Sequence, residues 1–291
     1  MNLLTSYTFW VVAIGTMLLA STSGAIGCIT VLKGQSLIGD AIGHSTFPGI
    51  VIAFMILLRK DSFIFLIGAI ISSIVAFICI QMFSSKSKLN LDAVLAIVLS
   101  SFFGLGMVLI SHIQGNSNYA NAAQAGIQKY IFGQSAYMLK SDVYMIFFVC
   151  VPSILLLLLF YKEIKVFIFD ETLSKMSGIP NTLMYLIMLI MCMGLISTGL
   201  KAVGSILIAS FFIAPAITAL QWSKRFHIVL IISSIVGALS SFIGTYFSTL
   251  IRGLSTGPAI IIVMTMFALI SLLIGPHGII ANFKQRKRNL G

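Results

Sequence analysis

The apolar runs of this chain are longer than a soluble fold can bury. No charged residue interrupts the stretch from Ile146 to Phe160, nor the one from Ile228 to Ile251. With their neighbours these runs match the roughly 20 residues that carry a helix across a bilayer core. In hydrocarbon the backbone must satisfy its own hydrogen bonds, which leaves helices or a closed barrel. Barrel strands alternate apolar and polar residues; these runs are apolar all round, so they are helices. Charged residues make up only 9% of the 291, against about a quarter in a soluble domain. The fold class that follows is all-α and polytopic, in a lipid bilayer.

Apolar windows between charges and turn signals give about nine spans. They cover 9–31, 40–58, 62–83, 91–112, 142–161, 180–199, 203–221, 227–250 and 258–275. The stretch 127–139 is too short to cross and reads as re-entrant or interfacial, so the expectation is eight to nine transmembrane helices. Residues 1–283 read as one transmembrane domain and 284–291 as a basic tail. MNLLTSYTFW carries no positive charge ahead of the first span, so no cleaved signal peptide is expected.

Basic residues gather on the cytoplasmic side of membrane proteins. With the tail residues Lys284, Arg286, Lys287 and Arg288 inside, the inner loops also hold Lys33, Lys86, Lys88, Lys162, Lys165, Lys175, Lys224 and Arg225. That is 12 basic residues inside against 6 outside (Arg59, Lys60, Lys129, Lys140, Lys201 and Arg252). The N-terminus is then outside and the C-terminus cytoplasmic. The same rule accounts for the net charge of +11, so nucleic acid is not implied. Cys28, Cys79, Cys150 and Cys192 all lie in apolar segments with no C-x-x-C pair, which argues against disulfides and a thiolate zinc site. Gly199–Ser205 lacks the lysine of a phosphate-binding loop, so no nucleotide site is expected.

Ionisable groups inside a span are costly and usually line a pathway or site. Asp40 and His44, in GDAIGHSTFPG, are four residues apart and so share a helix face. Carboxylate oxygen with imidazole nitrogen suits Mn²⁺, Fe²⁺ or Zn²⁺. The same pair could instead simply hold a bundle together. Pro48 cannot donate to the His44 carbonyl, which frees that oxygen. Gly39 and Gly43 form a G-x-x-x-G that admits a close helix neighbour. Gly49 follows Pro48, and Gly204 and Pro215 punctuate the segment 194–219. His112, His227 and His277 lie at span ends and read as interfacial, and Asp92 reads as a helix-start charge.

The longest inner connection, 162–179, has acidic Asp170 and Glu171 opening a short amphipathic stretch and Gly178 before Pro180 closing it. Phe167, Ile168, Phe169, Leu173 and Met176 form its apolar face. It is either a connector or a docking element.

These motifs together resemble the permease subunits of bacterial manganese/zinc/iron ABC importers, the ABC-3 family. Lys33–Gly49 is similar to the family's Asp-Ala-x-x-His-x-x-x-Pro-Gly segment, Phe169–Gly178 to its Phe-Asp cytoplasmic loop, and Val203–Ala219 to its late Val-Gly…Pro-Ala motif. Gly126–Met138, GIQKYIFGQSAYM, resembles the manganese-type subgroup. The resemblance implies a non-catalytic membrane subunit in the bacterial cytoplasmic membrane. Its partners would be a second permease (a copy or a paralogue), two cytoplasmic ATPase chains and an extracellular metal-binding lipoprotein. It implies no permanently bound cofactor: the metal is cargo, Mn²⁺ by subgroup, with Zn²⁺ or Fe²⁺ as alternatives. Asp40 and His44 would be the metal-pathway residues, and Gly39, Gly43, Pro48, Gly49, Gly204 and Pro215 would shape that pathway. Phe169, Asp170, Glu171, Leu173, Ser174, Met176 and Gly178 would form the ATPase-coupling helix. Departures from the family pattern are Lys33 where arginine is common, Ser174 where alanine is common, and Lys201 in a usually apolar stretch.

Overall fold

A computed structural model describes residues 6–58, 62–116, 138–251, 253–278 and 280. The segment 127–137, almost all of the Gly126–Met138 resemblance, and the tail 284–291 lie outside the described residues. Among the described residues the chain is helical, with no strand. The helices are α1 (Tyr7–Leu32), α2 (Ile38–Leu57), α3 (Ser62–Lys86), α4 (Leu91–Gly115), α5 (Lys140–Leu159), α6 (Tyr161–Phe169), α7 (Glu171–Met176), α8 (Asn181–Val203), α9 (Ser205–Trp222), α10 (Phe226–Leu250) and α11 (Thr256–Ile274).

Eight of them are long and apolar enough to cross a membrane. The helices α6 and α7 are too short. In α9 the stretch Leu207–Trp222 is apolar, and the helix's 18 residues lie within the roughly 17–25 that can cross a bilayer. It occupies the stretch expected as a span at 203–221. Its separation from α8 is set by Gly204, whose φ of +90° lies in the left-handed region that glycine adopts without strain. The expected break between these two helices is therefore present.

The chain divides into two compact units: Met1–Ser36, Ser135–Cys192 and Ser210–Gly291 in the first, Leu37–Gln134 and Met193–Ala209 in the second. In the first unit α1 packs along α10, α10 along α11, and α5 against α1. Small residues bring these backbones together: a Cβ on Gly27 would fall on the Phe212 carbonyl, and one on Gly237 on the Ala20 carbonyl. Some hydroxyls inside the unit return to their own helices, as Thr16 does to the Val12 carbonyl at 2.9 Å and Ser240 to that of Val236 at 2.7 Å. Such back-bonding keeps a polar side chain satisfied where water is absent.

In the second unit α2 is the central helix, packed on both α3 and α4. Phe47, Ile50, Phe54, Phe65 and Ile110 form its core. The crossing of α2 and α3 is tightest at Gly49 and Gly68. A Cβ on Gly68 would lie 2.5 Å from the Gly49 carbonyl oxygen, and one on Gly49 would fall on that of Gly68. By contrast Gly43 has room, since a Cβ there would sit 3.6 Å from Ile196, an ordinary contact. The close approach of α3 thus falls at Gly49 and not at Gly43.

Candidate functional site

The site starts from the position of α2. From Ile38 to Val51 every residue of this helix is buried except two, Asp40 and His44. Their side chains are 35% and 20% exposed, on the face that the i, i+4 spacing dictates. Asp40 lies in the first turn, where the helix's unpaired amides favour a carboxylate. His44 Nε2 stands 3.4 Å from Asp40 Oδ1, too long for a strong hydrogen bond. The two groups face each other without closing, and both keep lone pairs for a third body.

The surroundings hold the imidazole in place. Its ring meets Phe103 of α4 edge-on at 5.1 Å, and Phe103 in turn lies 5.8 Å from the Phe47 ring. Pro48 supplies no amide to the His44 carbonyl. The next carbonyl, that of Ser45, accepts from the Ser72 hydroxyl of α3 at 2.6 Å. Sequence reasoning missed Phe103 and Ser72, because both come from helices whose registry against α2 no local pattern reveals. An apolar groove of about 510 Å³ also opens in this unit, lined by Pro48, Gly49, Gly68, Ile71 and Phe102 among others; neither Asp40 nor His44 lines it.

Asp40 and His44 supply two donors. Among the described residues no group of three or more His, Cys, Asp or Glu could hold a metal ion. Protein metal sites are normally completed by four or more ligands.

The residues expected to shape a pathway fall as follows. Gly39 is buried in the first turn of α2, and Gly204 is the α8–α9 break. Pro215 is buried within α9; a Cβ on Gly24 would lie 3.1 Å from its Cβ.

A second constellation lies in the 162–179 connection. It holds two helices that meet at Asp170: α7, opened by Asp170 and Glu171 and closed at Gly178 as expected, and α6 before it. The Asp170 carboxylate caps α7, accepting from the amides of Thr172 and Leu173 at 2.9 Å each. At the other end Gly178, φ +77°, closes a Schellman turn: its amide donates to the Lys175 carbonyl at 3.1 Å and that of Ile179 to Ser174's at 3.0 Å. The break redistributes the apolar face. Phe167 and Ile168 turn inward and are buried, while Phe169, Leu173 and Met176 stay exposed, Met176 at 83%.

Glu171, first in α7, accepts hydrogen bonds from Lys33 and from the Tyr185 hydroxyl, the latter at 2.8 Å. The Lys33 bond outweighs partial burial and holds the Glu171 carboxyl below the usual carboxylate range. Ser174 faces inward, fully buried, and its hydroxyl finds no hydrogen-bond partner among the described residues. Ser174→Ala removes a desolvated, unsatisfied group, so it is expected to stabilise the protein by about 1 kcal/mol. Thermal unfolding in detergent reads this; a lower melting temperature for the alanine variant would show that the hydroxyl is satisfied.

The model of the ABC 3 transport family matches residues 6–275. The zinc transport system membrane protein TroC of Treponema pallidum (strain Nichols) is 37% identical over 289 residues, covering 99% of this chain and 96% of that one. The manganese transport system membrane protein MntC of Bacillus subtilis (strain 168) is 38% identical over 271 residues, covering 92% of this chain and 61% of that one. Among solved structures, PsaBC from Streptococcus pneumoniae in complex with Fab superposes with a TM-score of 0.82 at 28% identity, covering 97% of each chain.

Proposed function

The chain belongs to the ABC 3 transport family, and from that premise we propose that it carries a divalent transition metal, Mn²⁺ foremost, past Asp40 and His44 as the permease of an ATP-driven importer. It is a membrane subunit of a metal importer, and the chemistry of ATP hydrolysis falls to a separate chain. The observation that carries the cargo reading is the pair itself: a carboxylate and an imidazole, the two partly exposed residues on an otherwise buried stretch of helix, facing each other at 3.4 Å.

Two permeases facing each other would bring two such pairs together, giving four side-chain donors of mixed oxygen and nitrogen character. Such a set binds divalent metal, yet without thiolates it lets the ion go. A metal-binding lipoprotein would deliver the ion from outside, where the N-terminus lies. On the cytoplasmic side α7 would sit in a groove of an ATPase chain, presenting Phe169, Leu173 and Met176. Closure of two ATPase chains on ATP would then move both α7 helices and open the pair's surroundings to the other side of the membrane. Mn²⁺ is favoured over Zn²⁺ or Fe²⁺ by the resemblance at Gly126–Met138 and by relatives named as manganese systems.

The test is the driving force. The chain, purified from its source membrane with its bound partners and placed in vesicles, is expected to take up Mn²⁺ when ATP is present on the cytoplasmic face. Uptake by the isolated chain under a pH gradient, without ATP, would instead mark a proton-coupled transporter.

A further inference from the structure

Lys33 stands at the C-terminal cap of α1, yet its side chain is just 7% exposed. A desolvated ammonium requires partners. Its location is fixed first by the backbone. Gly34, φ +72°, ends α1 in a Schellman turn, its amide donating to the Val31 carbonyl at 3.0 Å and that of Gln35 to Thr30's at 2.8 Å. From this rigid corner the ammonium reaches the connection 162–179. It donates to the Phe167 carbonyl at 3.1 Å and to the Glu171 carboxylate. It also lies 3.7 Å from the centroid of the Phe167 ring and 5.3 Å from that of Tyr185.

The identity of those acceptors matters. The Phe167 carbonyl is in the last turn of α6, where carbonyls lack an amide of their own helix and the helix dipole is negative. Glu171 is the first residue of α7. One positive charge therefore closes the end of one helix and the start of the next. The start of α8 joins the same knot, with the Tyr185 hydroxyl on the Glu171 carboxylate and the Asn181 side-chain amide on the Glu171 carbonyl at 3.2 Å. Phe167 and Tyr185 pack edge to face at 4.7 Å beneath it.

We propose that Lys33 is the positioning residue of the docking corner: it fastens α7 to the end of α1, so that displacement of α7 by a docked partner is passed to α1 and to the turn leading into α2. Asp40 follows Lys33 by seven residues in the chain. The inference rests on the reading of this protein as the permease of an ATP-driven importer. Folding itself depends little on the pair, because the Glu171 side chain is 43% exposed and water can replace the ammonium when it is removed. What is lost is the stiffness of the joint.

The experiment compares the parent with Lys33→Met, Lys33→Arg, Glu171→Gln and the Lys33→Met/Glu171→Gln double variant, each in the assembled complex in vesicles. ATP-driven Mn²⁺ uptake per folded chain and the melting temperature are both read. Lys33→Met is expected to lower uptake about tenfold, the size of a typical coupling between distant sites. Its melting temperature and the amount of ATPase recovered with it should stay near those of the parent. Lys33→Arg, whose guanidinium reaches both acceptors, should keep most of the activity, and the double variant should be no worse than Lys33→Met alone. Uptake per folded chain within about twofold of the parent for Lys33→Met overturns the inference, as does a double variant whose loss is the product of the two single losses. If Lys33→Met does not reach the membrane, Glu171→Gln serves in its place, and parental uptake by that variant overturns the inference equally. A parent complex that recovers no ATPase and takes up no metal with ATP would instead refute the permease reading on which the inference stands.

Discussion

Replacing Gly49 with leucine is expected to prevent the chain from folding, at a cost above about 4 kcal/mol, beyond the range of ordinary substitutions. The reason is geometric. The first atom of any side chain at this position meets the backbone carbonyl of Gly68 and, at 2.6 Å, the Cβ of Ser72. Neither is the free end of a flexible side chain, so α2 and α3 would have to separate. In a bilayer, helices associate through close packing rather than a hydrophobic drive, and separation forfeits that packing. It would also break the bond from Ser72 to the Ser45 carbonyl, one residue from His44. Gly104→Ala is the matched control: a Cβ there meets nothing within 4 Å, so alanine should be neutral or stabilising by up to about 1 kcal/mol. Monodisperse yield in detergent separates the two. Normal yield of the leucine variant would show that the α2–α3 crossing is looser than described.

The second large effect concerns function with folding left intact. Asp40→Asn is expected to reduce metal uptake by more than about a hundredfold, beyond what altering a ligand's outer neighbours costs. The amide keeps the shape but loses the charge that draws a divalent ion. Little else depends on it: the Asp40 side chain is partly exposed and its ion-pair contact is the 3.4 Å approach to His44, so no buried group is orphaned. Assembly and melting temperature should be unchanged. His44→Gln should act similarly, although it also gives up the edge contact with Phe103. Uptake normal in either variant, at equal membrane abundance, would remove that residue from the pathway.

Much of this architecture is legible in the sequence because charges are so sparse. Apart from the start of α1, each span boundary falls near a charge, glycine or proline, and α1, α2, α5 and α10 begin and end within two residues of the expected limits. The shared face of Asp40 and His44 is likewise a local property, fixed by a spacing of four. What escaped was non-local. Gly49 rather than Gly43 makes the tight crossing because the outcome depends on where α3 passes, and Gly68 is invisible as a partner until both helices are placed. Lys33 is separated from Phe167 by 134 positions, so its burial cannot be read from its neighbours, and counting charges assigns it to solvent. In the 162–179 connection the start at Asp170 and the stop at Gly178 are local signals, whereas the separate helix α6 before them and the burial of Phe167 and Ile168 are not. The capping by Asp170 divides the connection and turns Phe167 and Ile168 inward.

The most direct measurement is uptake of trace Mn²⁺, Zn²⁺ and Fe²⁺, each separately, by cells lacking this chain and restored with either the intact protein or Asp40→Asn at equal abundance. The account predicts that the intact protein restores Mn²⁺ uptake and that Asp40→Asn restores none. Equal restoration by both, or no uptake of any of the three metals with the intact protein in the membrane, would contradict it.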